Sequence, residues 1–227
     1  SVGHGHKDAA LGNLSGYWPP KYCTRFASLF LLPLLMGGPS GSPATTRVTS
    51  SLLAKAVYLA VKKGCVETKL RVTFPLKKQC GRIIIPTVKG QKILADIIVD
   101  EAFINQGHSK AEMTEYIYLK YLTAFQAHLI QVQFYEMTQW LLIDASGRQI
   151  ELWGESVFAP DMKHIAVSCM GIKYGGGQPD IIQLLELKND VLSTVWSLEP
   201  KTWGPYRICW SSSNSLLLSK KMWTEKN

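Results

Sequence analysis

Asp100, Glu101 and His108 stand within nine residues of one another in the longest polar connection of this 227-residue chain, Asp100 to Glu112. A carboxylate and an imidazole in one loop can exchange a proton with a substrate, or hold a cation together with the nearby Asp96. β scaffolds display catalytic groups on such loops. No nucleophile motif and no fixed ligand spacing accompanies the three, so a solvated acidic loop after a strand is the competing reading.

The run Gly175-Gly176-Gly177-Gln178-Pro179-Asp180 is a second candidate, because clustered glycines can cradle a phosphate. It lacks the Lys-Ser/Thr pair of a Walker loop, and the pattern after it is that of a strand rather than a helix. It reads as a hairpin connection, with Tyr174 and Asp180 available to line a ligand surface at that end.

Basic residues form the third candidate. Between Lys55 and Lys92 the chain carries ten Lys or Arg and one acid, Glu67. Lys62, Lys63, Lys69, Arg71, Lys77, Lys78 and Arg82 could engage an anionic envelope surface, either lipopolysaccharide or a membrane. Only Tyr58 and Phe74 interleave with them, which argues against nucleic acid. A solvated strand face with edge-protecting lysines is the alternative. Six of the seven tryptophans fall between Trp140 and Trp223. They form either a stacking platform for sugars or peptides, or packing between sheets. His128 and His164 fall in strand-like segments and read as structural. Nothing in the spacing of His, Cys, Asp and Glu calls for a metal or a cofactor.

These groups need a scaffold, and the chain divides into three parts. Residues 1–44 hold basic Lys21 and Arg25, an apolar run from Phe26 to Met36 and a small-residue exit around Ser42-Pro43-Ala44. That order matches a secretory leader, which predicts a periplasmic or secreted protein. Residues 45–65 predict a linker and one short helix: Leu52, Leu53, Ala56, Val57, Ala60 and Val61 recur at helical spacing, with one or two strands as the alternative. Residues 66–227 predict a single all-β domain. Twelve short segments there read as strands: 66–74, 82–87, 91–99, 114–119, 128–135, 139–143, 149–153, 164–168, 181–187, 192–197, 206–210 and 215–219. Tight-turn residues separate them, so antiparallel meanders follow, either propeller-like or as an open sandwich.

Composition sets the outer bounds. With 46% apolar and 19% charged residues the chain is an ordinary globular sequence, and it holds no apolar run long enough for a spanning helix. Its net charge of +8 is a local property, since residues 111–227 hold ten basic and twelve acidic side chains. Removal of Cys23 with the leader leaves Cys65, Cys80, Cys169 and Cys209. Four cysteines permit two bridges in three pairings, or none if all are buried thiols.

Two segments resemble one another, 139–170 and 181–219. Phe158 and Trp210 hold equivalent places, as do Asp144 and Lys188. Phe158-Ala159-Pro160-Asp161 resembles the turn of the TolB-type β-propeller repeat, with Met162 where that repeat has glycine. In the second segment Ser212 and Ser213 replace the Pro-Asp pair. The motif is a scaffold motif, whose aromatic anchors one sheet on another and whose Pro-Asp pair presets the turn. Val132-Gln133-Phe134-Tyr135-Glu136, Trp153-Gly154-Glu155 and 198–205 are also similar to segments of a group of uncharacterised exported bacterial β-rich proteins. That resemblance implies export and an all-β fold, and no activity. The expectation is an exported, non-enzymatic binding or interaction module for an unknown protein or envelope component. A hydrolase built on the 100–108 loop and a β domain docking on anionic surfaces are its alternatives.

Overall fold

The computed structural model describes residues 27–31, 48–171 and 177–222. The chain is all-β, built of antiparallel meanders packed as in a sandwich. Tyr174 and most of the leader-like segment fall outside the described residues. From that segment Ala27–Leu31 forms strand β1, which pairs with Thr49–Leu53 (β2) on one side and Ser215–Met222 (β15) on the other. The helix α1 is Lys55–Lys62, shorter than the periodicity suggested, because 49–53 is extended and Ala54 is the last extended residue before the first turn.

Eleven of the twelve expected strands are present. A hairpin of Arg82–Thr87 (β4) and Gly90–Ala95 (β5) forms its own two-stranded sheet. The next sheet is a meander of Thr114–Leu122 (β6), Ala127–Phe134 (β7), Thr138–Asp144 (β8) and Gln149–Leu152 (β9). Its edge is extended by Val72–Thr73 (β3), the only part of the expected 66–74 strand that pairs as a strand; Val66 forms a lone bridge to Trp210. Ser156–Phe158 (β10), His164–Cys169 (β11), Ile181–Lys188 (β12) and Val191–Leu198 (β13) make the third sheet. Trp203–Ser212 (β14) and β15, with β1 and β2, make the fourth. The strand β10 escaped the sequence reading because three residues are too few to show alternation.

Sequence pattern explains the layering. In β7, β8, β11 and β12 both faces are buried, so these strands carry apolar doublets and triplets such as Leu141-Leu142-Ile143 instead of strict alternation. Ile130, Val132, Leu141 and Ile143 pack on Ile83, Ile85 and Leu94 of the hairpin. Leu129, Leu142 and Leu152 face the opposite way, onto Ile165, Val167 and Leu185 of the third sheet. Ala166, Ile182 and Leu184 then face Trp210, Leu216 and Leu218 of the fourth.

Phe158 and Trp210 each reach back to the preceding layer. Phe158 ends β10, the first strand of its sheet, and packs back on the preceding sheet, its ring 5.6 Å from that of Phe125. Trp210, near the end of β14, is buried and donates Nε1–H to the Val157 carbonyl of the preceding sheet at 3.1 Å. At the turn after Phe158, Met162 takes φ = 57°, the left-handed conformation that glycine adopts without strain. Asp161 closes the turn by accepting the Lys163 amide at 2.8 Å.

One covalent link joins distant parts. Cys65, just after α1, is bonded to Cys209 of β14 across 144 residues, while Cys80 is an exposed thiol and Cys169 a buried one. Closing a loop of that length removes unfolded-state entropy worth up to about 5 kcal/mol. Reduction, or Cys65→Ser with Cys209→Ser, is therefore expected to lower the unfolding free energy by about 3–5 kcal/mol. Urea titrations with and without reductant measure this, and an unchanged midpoint would contradict it. Met162→Gly is expected to stabilise by about 0.5–1 kcal/mol through relief of the left-handed conformation, read as a rise in Tm.

Candidate functional site

The candidate site is a cleft of about 560 Å³ lined by residues of helix α1 and of the five-stranded, third and fourth sheets. Trp140 on β8 and Trp153 after β9 supply one aromatic pair, and Tyr58 on α1 and Tyr206 on β14 supply the other. Lys62 and Arg207 bring cations, Glu155 the acid, Gln178 an amide and Met170 a thioether. Local sequence accounts for each placement. Trp140 alternates with Leu141 along β8, so it points away from the hairpin and toward the third sheet. Tyr58 and Lys62 are four residues apart on α1 and share one helix face. Its C-terminal end is held to β14 by the Cys65–Cys209 bond.

Trp153 is fixed by a side chain from another sheet. Gln183, buried in β12, accepts the Trp153 amide at 3.0 Å and donates to the Glu151 carbonyl at 3.1 Å. Gly154 follows because no Cβ fits: one placed there would lie 2.2 Å from the Ser168 carbonyl oxygen of β11. On the far side Tyr206 has the Arg207 guanidinium 5.2 Å and the Lys221 ammonium 4.0 Å from its ring centre. That wall is thus electropositive. Cys169 also lines the cleft, but burial, and then the charge of Asp180, push its thiol up to about 11. A thiol so protonated is a poor nucleophile.

A second cavity of about 550 Å³ lies between the 65–72 segment and β10, floored by Phe158 and Trp210. Cys65, Cys209 and Val157 line both cavities, so the disulfide stands between them.

The residues of the 100–108 loop take separate local roles. Asp100 caps the helix Glu101–Asn105 (α2) by accepting the Phe103 amide at 2.8 Å, and Glu101 sits in its first turn. His108 stacks on Phe103 with ring centres 4.0 Å apart, and its Nδ1 lies 3.1 Å from Glu112. Glu112 closes a capping box with Ser109 around a 3-10 turn, and the Ser109 amide holds its carboxyl below the usual range. The imidazole is paired with Glu112 rather than with Asp100 or Glu101, and none of the three lines either cavity. Asp96 is engaged by Lys78 and by the Tyr116 amide. Among the described residues no group of three His, Cys, Asp or Glu gathers to hold a metal.

Asp180 accepts the Gly171 amide at 2.9 Å and so closes the glycine-rich connection, after which strand β12 begins. Of the basic set, Lys62 reaches the cleft and Lys78 pairs with Asp96, while Lys63, Lys69, Arg71, Lys77 and Arg82 are exposed. The tryptophans divide: Trp210 is core, Trp196 and Trp203 pack against the same cluster, and Trp140 and Trp153 line the cleft. Their convergence with Tyr58 escaped the sequence reading, since the helix lies 82 positions before Trp140. The alternation of Trp140 with Leu141, which puts them on opposite faces of β8, was the available signal.

Comparison with family models, with curated proteins and with solved structures gave no match.

Buried His128 and half-buried Asp144 both contribute to the response to acid. His128 is buried in β7, with Nδ1 3.1 Å from the Tyr118 hydroxyl and its ring 4.8 Å from that of Tyr121. Burial lowers its pKa; burial and then Tyr121 raise that of Tyr118 to about 12. Burial opposes ionisation of Asp144, but hydrogen bonds from Ser146 and Arg148 outweigh it, and its pKa falls. In both cases the folded state binds fewer protons than the unfolded one, so stability rises with pH. Stability is expected to fall as pH drops below about 6.5, where unfolded histidine protonates, and again below about 4 as Asp144 loses its advantage. In His128→Gln the loss between pH 7 and 5 is expected to shrink, as measured by urea midpoints across that range.

Proposed function

We propose that this chain is an exported, non-enzymatic binding module whose ligand lies in the Trp140/Trp153/Tyr58/Tyr206 cleft. The observation that carries the reading is the pairing of four aromatic walls with the cations Lys62 and Arg207 around one cavity of about 560 Å³. Aromatic faces bind the apolar face of a sugar ring or a flat side chain, and do so without chemistry. Cations at the same mouth favour a ligand carrying negative charge. An acidic oligosaccharide has both properties, which makes it the ligand class of this proposal. The Cys65–Cys209 bond supports an oxidising compartment, as export predicts.

Burial keeps the Cys169 thiol of the cleft protonated, which makes it a poor nucleophile. The hydrolase alternative rested on Asp100, Glu101 and His108; Asp100 caps α2 and His108 pairs with Glu112, and none of the three lines either cavity.

Titration with uronate-bearing and neutral oligosaccharides is expected to change tryptophan fluorescence, with the uronates binding more tightly. Trp153→Ala is expected to weaken binding about tenfold, and Lys62→Ala with Arg207→Ala to erase the preference for acidic sugars. A panel of acidic sugars and peptides that leaves both the fluorescence and the heat of mixing unchanged would overturn the proposal.

A further inference from the structure

The hairpin β4–β5 alternates without a break. Ile83, Ile85 and Leu94 are buried against the five-stranded sheet, while Arg82, Ile84, Pro86, Gln91, Ile93 and Ala95 face outward. An outward strand face in water is normally polar. Here Ile84 and Ile93 are direct cross-strand partners at 46% and 54% exposure, and Val88 at the tip is 79% exposed. Three large aliphatic side chains are thus presented by one hairpin of 14 residues.

Charge singles out what could cover them. Between Arg82 and Ala95 there are three cations, Arg82, Lys89 and Lys92, and no acid. Arg82 and Lys89 are exposed at the two ends of the outward face. The nearest acid in sequence, Asp96, is turned inward onto Lys78 and the Tyr116 amide. Exposed aliphatic groups flanked by cations, with no acid between, complement an anionic lipid bilayer: the isoleucines enter the acyl boundary while Arg82 and Lys89 stay at the headgroups. A nucleic acid would use the cations but offers nothing apolar to Ile84, Ile93 and Val88.

The hairpin is also braced for this role. The Val88 amide donates to the Ala145 carbonyl at 2.9 Å and Lys92 reaches the Gly147 carbonyl at 3.3 Å, so the tip rests on the β8–β9 turn. A rigid tip adds no ordering cost on docking.

We propose that the outward face of the β4–β5 hairpin docks this protein peripherally on anionic phospholipid bilayers, with Ile84, Ile93 and Val88 inserted and Arg82 and Lys89 at the phosphates. The surface is separate from the aromatic cleft, and the inference does not rest on the cleft having a ligand. Co-sedimentation of the full chain with vesicles of phosphatidylcholine alone, or with about 30% phosphatidylglycerol, tests it. Partition onto the anionic vesicles is expected to exceed that onto neutral ones about tenfold and to fall as NaCl rises from about 50 to 500 mM. Arg82→Glu with Lys89→Glu is expected to remove the preference for anionic lipid. Ile84→Ser with Ile93→Ser is expected to reduce binding about tenfold while leaving Tm unchanged, since both side chains are exposed. Equal binding to both vesicle types, or full binding by the serine variant, would overturn the proposal. So would a dimer in sedimentation velocity that the serine variant dissolves, which would give the face to a second copy.

Discussion

The structure depends on the burial of the β10–β13 sheet on both faces. One face meets Leu129, Leu142 and Leu152, and the other meets Trp210, Leu216 and Leu218. A strand enclosed this way must be almost wholly apolar, and any polar side chain in it must find a partner without water. Gln183 and His164 are the two such residues in β11 and β12 whose partners are plain. Gln183 ties Trp153 and Glu151 of the neighbouring segment. His164 lies 2.8 Å from Asp161 and its ring sits 6.1 Å from Trp210. Gln183 is therefore a polar link between layers that sets the position of a cleft wall, while His164 bonds within its own turn and only its ring approaches the next layer.

That dependence explains how a cleft can exist in a stack of sheets. Sheets packed over their full area leave no opening, and here Gly154 lets the chain press its backbone against Ser168 while Trp153 stands out beside it. The opposite wall comes from α1, an eight-residue helix with no buried residue of its own. An isolated helix of that length does not hold in water. Its attachment is the bond from Cys65 to Cys209, supported by the Val66 amide donating to the Trp210 carbonyl at 2.9 Å. The covalent link holds the end of α1 beside β14, where Tyr58 and Lys62 reach the cleft.

How far this was legible follows from which signals are local. The apolar doublets and turn residues marked eleven strands, because alternation and turn chemistry act over a few residues. Phe158 and Trp210 were legible as interlayer anchors for the same reason. The run 26–36 shows the limit: an apolar stretch of 11 residues fits a leader as well as a strand, and β1 uses five of those residues. Asp100 and His108 were ambiguous in sequence because Asp before a helix and His near a carboxylate carry capping chemistry and catalytic chemistry alike. The cleft was not legible, since Tyr58, Trp140, Trp153 and Tyr206 meet only through the sheet order and the pairing of Cys65 with Cys209, neither of which spacing specifies.

The same alternation that built the layers keeps the two proposed surfaces apart. Along β8, Leu141 and Ile143 turn toward the hairpin, and Trp140 and Leu142 turn toward the third sheet. The five-stranded sheet therefore stands between the outward-facing isoleucines and the aromatic cleft, and the β8–β9 turn that braces the hairpin tip is continuous with the strand that carries Trp140. A bilayer against Ile84 and Ile93 covers the face of the hairpin opposite to Ile83 and Ile85, so it reaches none of the side chains that line the cleft. Docking on lipid and binding of a soluble acidic ligand are compatible in one molecule, because period-two alternation assigns them to opposite sides of one sheet.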